Sequence, residues 1–505
     1  MPKADPNRLY NTQMKKDFFS RGSDRTGSSG SYVYEPMMWY KAAGAPAMRP
    51  SAALVAAWIA LAAGLLMAPA QAAPPNVLLI FADDLGYGDL GCYGSETIRT
   101  PHLDGLAREG RKFTNFMVAS SVCTPSRAAL LTGCYPKRVG MQRQVLHPSS
   151  QVGLHSDEHT IADHLRGLGY ATACFGKWHL GHLPEVLPRA QGFDEYFGIP
   201  YSNDMNHAAD RGPRPDGPAG LDALWADPAS TLTAWTAPLY ENDAPVEVPA
   251  DQRTITRRCT QRAIDFMSAH RAGPFFVYLP YSMPHVPLYV PDDVRDPDPR
   301  QAYVNTIEHL DAEVGRLLDT LDKLGLAETT YVIFTSDNGP WLSFRHHAGS
   351  AGPLREGKTS TFEGGQRVPC LIRGPGIPAG TVCDGLNGTI DVLPTLAALT
   401  ESALPGDQPI DGVDMSGLWR GDVAASPRQE FLYYSAEGEI EGIRQGRWKL
   451  LVKQPPRLLL FDLEADLGEQ TNLADGHPGV VTRLRERMLA LDGELTAHAR
   501  PRWTR

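Results

Sequence analysis

Asp83-Asp84 and Asp337-Asn338 stand close behind two short apolar runs, Asn76 to Ala82 and Tyr331 to Thr335. Adjacent carboxylates at the end of a buried strand repel each other and resist burial, and a divalent cation removes that cost. Donors that are all oxygen favour calcium or magnesium over zinc. Either motif alone also fits an ordinary turn; two of them, each ending a strand, favour the metal. Cys123-Thr124-Pro125-Ser126-Arg127 leads into Ala128 to Thr132, a helical run with proline suited to its first turn. A cysteine there sits at a helix N-terminus, which favours anions and lowers a thiol's pKa. Arg127 lies one turn along and can reach the same anion. A buried structural cysteine before an ordinary helix fits these residues equally well. Lys177, His179, His285 and Lys358 supply point charges suited to a tetrahedral oxyanion and imidazoles able to move protons near neutral pH. Singly, each is no more than a solvated side chain.

The elements around these residues place them at one edge. Asn76 to Ala82, Ala171 to Phe175, Phe275 to Leu279 and Tyr331 to Thr335 read as buried strands. Thr160 to Leu168 reads as a helix capped by Thr160, and Ile307, Leu310, Val314, Leu317, Leu318, Leu321 and Leu324 form a helical apolar stripe. Alternating helices and solidly apolar strands predict an α/β fold with a large, mostly parallel central sheet flanked by helices. The polar clusters follow the C-terminal ends of the strands, where open α/β sheets bind ligands. Gly212 to Pro249 reads as an irregular surface excursion. Beyond about residue 405 the texture changes: Gly442 to Val452 and Arg457 to Leu463 read as short strands of a hairpin, and Val480 to His498 as a terminal amphipathic helix. This predicts a smaller C-terminal α+β subdomain, residues 405–505, with a short antiparallel sheet.

A chain of 505 residues with 42% apolar and 21% charged residues is an ordinary globular composition. The net charge of −10 argues against a nucleic-acid partner, yet leaves room for a basic pocket. Seven cysteines make no disulfide scaffold and no zinc motif; Cys370 and Cys383 could pair in an oxidising compartment. Ala52 to Ala70 is a nearly unbroken apolar run preceded by Met48-Arg49 and ended by Ala70-Gln71-Ala72. That is the form of a signal peptide over residues 48–72, cleaved after Ala72; an uncleaved signal anchor, the one route to a membrane, is the alternative. Residues 1–47 read as a non-structural extension, and export to the periplasm or outside the cell is expected.

Together the phrases NVLLIFADDLGYGDLGCYG, CTPSRAALLTG, GKWHLG and SDNGP closely resemble the sulfatase family of the alkaline-phosphatase-like superfamily. The branch most similar is that of arylsulfatase A and N-acetylgalactosamine-6-sulfatase. The likeness runs from about residue 74, through a catalytic domain ending near 404, to LFDLEADLGEQTNLA. It implies hydrolysis of sulfate monoesters, aryl or sugar, to an alcohol and inorganic sulfate. It also implies that a formylglycine-generating maturation enzyme oxidises Cys123 to formylglycine. Asp83, Asp84, Asp337 and Asn338, with the modified Cys123, match the ligands of one calcium ion. Arg127 and Lys177 match residues that orient the aldehyde hydrate, and His179 the base that releases sulfate from it. His285 and Lys358, with Lys177, match the groups that bind the sulfate, and Ser202 a further polar contact. A thiolate would form a stable thiosulfate-type adduct, whereas a geminal diol attacks with one hydroxyl and uses the other to expel sulfate, splitting the reaction into two easier steps.

Two other functions fit parts of the pattern: a phosphatase or phosphonate monoester hydrolase of the same superfamily, and a non-catalytic glycan-binding relative with unmodified Cys123. The complete set of cations and both histidines argue against the second. Specificity would come from loops, with Gln142 to His147, Asp204 to Arg214 and Arg345-His346-His347 as candidates. Asn387-Gly388-Thr389 is a glycosylation sequon.

Overall fold

Strand β1 (Asn76–Ala82) explains the centre of the molecule, because every one of its residues is buried. Val77, Leu79 and Phe81 enter one hydrophobic core, while Leu78, Ile80 and Ala82 enter another. A strand alternates its side chains between two faces, so a strand apolar at every position must be covered on both. Each fully buried Leu, Ile or Phe contributes about 1.5–3 kcal/mol relative to exposure. The structure, a computed structural model, describes residues 73–143, 145–206, 217–227, 234–455 and 457–505. The expected extension (1–47) and signal peptide (48–72) lie outside the described residues.

The remaining strands are β2 (Arg111–Met117), β3 (Val152–Gly153), β4 (Ala171–Phe175), β5 (Glu195–Gly198), β6 (Leu239–Glu241), β7 (Ala244–Glu247), β8 (Phe275–Pro280) and β9 (Thr330–Ser336). They continue with β10 (Arg367–Arg373), β11 (Thr381–Cys383), β12 (Asn387–Gly388), β13 (Glu430–Tyr434), β14 (Ile440–Gln445), β15 (Trp448–Lys453), β16 (Arg457–Asp462) and β17 (Trp503–Thr504). The main sheet runs β11-β2-β10-β9-β1-β8-β4-β5-β6-β7, with β12 beside β2. Its centre, β9-β1-β8-β4-β5, is parallel throughout. β10 is antiparallel to both its neighbours, and β6 and β7 close the far edge as an antiparallel hairpin. The predicted mostly parallel α/β sheet is therefore present: β10 and the β6–β7 hairpin are its antiparallel parts, and β11 and β12 pair parallel to β2.

One face is covered by the helices Pro101–Glu109, Gln252–Ala269 and Ala302–Leu324. The last carries the expected stripe, buried from Ile307 to Leu321. The other face carries the helices Cys123–Thr132, Ile161–Gly167 and Val392–Leu399. Thr160 caps its helix as expected, in a reciprocal box with Asp163: Thr160 Oγ1 accepts from Asp163 N at 3.1 Å and Asp163 Oδ2 from Thr160 N at 3.1 Å.

Four expectations need correction. The excursion from Gly212 to Pro249 is not wholly irregular: it contains the helix Gly217–Ala226 and the β6–β7 hairpin, with 212–216 and 228–233 outside the described residues. The stretch from Gly442 to Val452 is two strands, because Gly446 turns the chain at φ 57°; β13-β14-β15-β16 then form a four-stranded antiparallel sheet against which the C-terminal helix Pro478–Ala497 packs. Cys370 and Cys383 are free thiols. Each is register partner to Phe113, from opposite sides of β2, which at two strand spacings puts them roughly 9.6 Å apart, beyond disulfide reach. Asn387 is fully buried and donates to Gly385 O at 2.8 Å, so its sequon is closed to a glycan.

Candidate active site

Four strand ends deliver the polar residues to one place. β1 ends in Asp83 and Asp84, β4 in Lys177 and His179, β8 in the loop holding His285, and β9 in Asp337 and Asn338. The helix Cys123–Thr132 brings Cys123 and Arg127 from beside the sheet. Gly176 and Gly339 permit the closest approaches. A Cβ on Gly176 (φ 144°) would lie 1.9 Å from Pro280 O, and one on Gly339 1.8 Å from Gly364 O. Asp84 (φ 65°) and His179 (φ 61°) hold left-handed backbone, a conformation costing about 1–3 kcal/mol that persists where surrounding structure over-determines it.

The floor of the site is a buried ionic lattice. Arg127 donates to Asp337 Oδ2 through Nη2 (2.7 Å) and Nε (3.1 Å), and through Nη1 to Lys177 O (2.9 Å). Lys177 Nζ lies 2.6 Å from Asp83 Oδ2 and 3.3 Å from Ser202 Oγ. Lys358 Nζ bridges Asp84 Oδ1 (2.7 Å) and Oδ2 (2.9 Å) to Cys123 Sγ (3.5 Å). Asp84 N donates to Asp337 Oδ1 at 3.1 Å, and Asn338 Nδ2 to Asp84 Oδ1 at 2.7 Å. Cys123 Sγ is 3.6 Å from Asp83 Oδ1, and His285 Nε2 3.7 Å from Asp84 Oδ2.

Burial and neighbouring charge set the protonation states. Burial pushes Asp84 up to about 7; Lys358 opposes this while Asp83 and Asp337 reinforce it. Burial and Asp83 also raise Asp337. Asp83 is lowered, because Lys177, Arg127 and Lys358 together outweigh its burial. Burial raises the Cys123 thiol to about 12 despite Lys177 and Lys358. This direction is opposite to the lowering expected at a helix N-terminus, because desolvation of the buried thiol outweighs Lys177 and Lys358. Burial, with Lys177 and Arg127, holds His179 far below its usual range. Burial, with Lys358 and Lys177, does the same for His285. Carbonyl oxygens only accept, so each imidazole's tautomer is set. His179 donates from Nε2 to Leu146 O (2.9 Å), leaving a bare Nδ1 that is buried without a partner. His285 donates from Nδ1 to Val286 O (2.6 Å), leaving Nε2 bare.

The same residues pass a test for a cation. Asn338 Oδ1 is a buried acceptor with no donor, and an unpaired buried polar atom costs about 1–3 kcal/mol. Donor atoms of Asp83, Asp84, Cys123 and His285 lie within 4.8 Å of one another. An oxygen-rich cradle of this kind suits a hard divalent ion.

Above the lattice lies a cavity of about 520 Å³ bounded by Cys123, His179, Ser202, His285, Lys358 and Trp341. Every expected site residue is thus in the lattice or at the cavity. Of the candidate loops, Val145, His147, Asp204 and Asn206 reach the cavity; 207–214 lie outside the described residues, and His346 and His347 stand off it. Sequence reasoning missed Trp341 and Thr124. Trp341 lies with Lys358 Nζ 4.5 Å from its ring centre and the His285 ring 5.5 Å away; an aromatic directly after Asp-Asn-Gly-Pro was the available signal. Thr124 Oγ1 donates to His179 O (2.9 Å) and accepts from Leu146 N (3.1 Å), tying the Cys123 helix to the His179 turn. Nothing in its sequence surroundings marked that.

Residues 75–402 match the Sulfatase family model. The chain is 41% identical over 449 residues to arylsulfatase A of Bos taurus, covering 83% of this chain and 86% of that protein. It is 37% identical over 403 residues to N-acetylgalactosamine-6-sulfatase of Canis lupus familiaris, covering 77% and 74%. Among solved structures, Ps i-CgsB in complex with k-i-k-neocarrahexaose superposes with a TM-score of 0.71 at 30% identity, covering 85% of this chain and 95% of that one. A family match spanning most of the described residues, with the motif residues gathered at one cavity, assigns the chain to the sulfatase family, the hydrolases of sulfate esters.

Proposed function

We propose that the protein hydrolyses aryl or sugar sulfate monoesters to an alcohol and inorganic sulfate, at a formylglycine hydrate derived from Cys123 beside one calcium ion. The observation that carries this is the placement of Cys123 at the floor of the cavity with His179, its Sγ 3.5 Å from Lys358 Nζ and 3.6 Å from Asp83 Oδ1; burial also pushes its thiol up to about 12. A thiol so reluctant to ionise is a poor nucleophile, since the thiolate is the reactive form. A formylglycine hydrate supplies one hydroxyl to attack sulfur and a second to release sulfate. Calcium held by Asp83, Asp84, Asp337 and Asn338, with residue 123, supplies charge neutralisation for the transferring group.

The chain's own groups account for the rest. Asp83, Asp84 and Asp337 are offset in charge by Arg127, Lys177 and Lys358, so a divalent ion makes the site net positive and receptive to a sulfate ester. Arg127 and Lys177 hold Asp83 and Asp337 and fix the floor against which residue 123 sits. His179, neutral and bare at Nδ1, accepts the proton when sulfate is released. Lys358 and His285 face the cavity: Lys358 binds sulfate oxygen as a point charge. Bound anion raises the His285 pKa, so that Nε2 carries a proton for the leaving oxygen. Ser202, through Lys177, completes the polar wall. Trp341 and Trp235 line the cavity and offer flat apolar faces to an aryl group or sugar ring.

The same reading assigns residues 74–404 to the catalytic domain, 405–505 to the C-terminal subdomain, 48–72 to a signal peptide and 1–47 to a non-structural extension, in an exported protein matured by a formylglycine-generating enzyme. No helix among the described residues is long and apolar enough to cross a membrane. The test is co-expression with and without that maturation enzyme. Hydrazide labelling at residue 123 and sulfate release should rise together. Sulfate release without a reactive carbonyl at residue 123 would overturn the proposal.

A further inference from the structure

A second cluster of metal-ligating side chains lies apart from the lattice. Asp222 stands on the helix Gly217–Ala226, and His346 and His347 end the segment Leu342–His347 packed against that helix. The two imidazoles converge through Nε2 on one carboxylate oxygen, Asp222 Oδ1, at 2.6 Å and 2.9 Å. Their ring centres are 4.6 Å apart at 43°, and the three donor atoms lie within 4.8 Å of one another. Consecutive residues of a regular helix point about 100° apart and do not share a target. Here the chain breaks from helical geometry at Arg345, whose φ of 55° and ψ of −114° is a strained backbone for a residue with a Cβ. His347 is buried, whereas the Asp222 and His346 side chains are 39% and 33% exposed.

From this we infer that Asp222, His346 and His347 form a zinc-class site, set back from the sulfatase cavity, that clamps the Trp341–His347 segment to the helix Gly217–Ala226. Two imidazoles and a carboxylate are the donors that zinc takes, and a calcium site would be oxygen-only. Tetrahedral zinc, with bonds of about 2.0–2.1 Å, places its donors about 3.3 Å apart, so the observed pairs need open by only several tenths of an ångström. Exposure of Asp222 and His346 leaves the fourth position to water. The segment begins at Trp341, which touches both His285 and Lys358. Zinc would therefore brace a wall of the cavity without joining the chemistry. The site is independent of the calcium reading, since it shares no residue with the lattice.

The experiment uses the full-length, calcium-loaded protein titrated with cobalt(II), whose visible bands report four-coordination, followed by displacement with zinc. The result expected is one equivalent of cobalt with those bands, displaced by zinc, together with at least tenfold weaker binding in both His346→Ala and Asp222→Asn and unchanged binding in Cys123→Ala. His346 is partly exposed, so His346→Ala should retain the wild-type circular dichroism spectrum and calcium content. Asp222→Asn, which keeps the side chain's size, is the second variant should the first perturb the segment. Absence of a stoichiometric metal, binding unchanged in both variants, or binding lost in Cys123→Ala would each overturn the site.

Discussion

Among the described residues, a buried ionic cluster under the C-terminal sheet can be set beside the one at the strand ends, and the two are built to different ends. Under the C-terminal sheet, Lys449 Nζ sits between Glu363 Oε1 (2.9 Å) and Glu469 Oε1 (2.8 Å). Tyr433 Oη donates to Glu363 (2.8 Å), Glu363 N to Glu469 Oε2 (2.7 Å), and Arg367 and Arg444 face Glu363 from 3.4 Å and 3.8 Å. Burial pushes Glu363 up, but Lys449, Arg444 and Arg367 outweigh it and hold the acid at about 2, whereas burial and Glu363 together raise Glu469 despite Lys449. The strand-end cluster has as many cations as carboxylates, yet Asp84 stands at about 7, and Asn338 Oδ1 and His179 Nδ1 have no partner. One cluster binds the antiparallel sheet to the helix Glu363–Gln366 and, among the described residues, has no cavity beside it, although its Glu469 Oε1 makes no hydrogen bond beyond the ion pair with Lys449. The other opens onto the cavity of about 520 Å³ through Cys123, His179, His285 and Lys358. Burial, charge density and a lone unsatisfied atom therefore do not distinguish a structural cluster from a working one; access to a cavity does.

The largest test of that contrast is in activity. Cys123→Ala should lower sulfate release by about 10³-fold or more while leaving the melting temperature near wild type. Next is stability. Glu363→Gln breaks a buried pair and should destabilise by about 3–5 kcal/mol, read by denaturant unfolding. Its calcium affinity should remain unchanged, and a large loss of calcium binding would show that the clusters are not separable. Smaller again is the effect of the ion itself. Calcium at about 100 times its Kd should add about 2.7 kcal/mol to stability, read as a melting temperature that falls on chelation. Asn338→Ala should make that melting temperature nearly indifferent to calcium. A further test is in pH. Glu363 is depressed in the folded state, so its contribution is present above about 4.5 and is lost as pH falls toward about 2. The acid limb of stability should be shallower in Glu363→Gln, and an unchanged limb would place the acid sensitivity elsewhere.

The same contrast explains what was legible in the sequence. The working cluster could be read because strand ends are local: an apolar run followed by Asp-Asp or Asp-Asn-Gly states both the element and its polar tip. The central parallel strands and the Ala302–Leu324 helix could be read from apolar pattern for the same reason. The structural cluster could not, because Glu363, Lys449 and Glu469 meet only through tertiary packing, and a lone Lys within a short strand carries no mark of its partners. The antiparallel strand β10 escaped because its long-range register with β2 and β9 has no local signal. The state of the Cys123 thiol was not legible for a related reason: helix position is local, while the burial that dominates its pKa comes from the whole fold.

The most direct measurement is hydrolysis of a panel of aryl and sugar sulfates, each matched with its phosphate and phosphonate ester, by the matured protein and its Cys123→Ala variant. The account predicts that kcat/KM for the best sulfate exceeds that for the matching phosphate and phosphonate, and that turnover vanishes in the variant. Faster phosphate or phosphonate cleavage, or sulfate turnover that survives without Cys123, would contradict it.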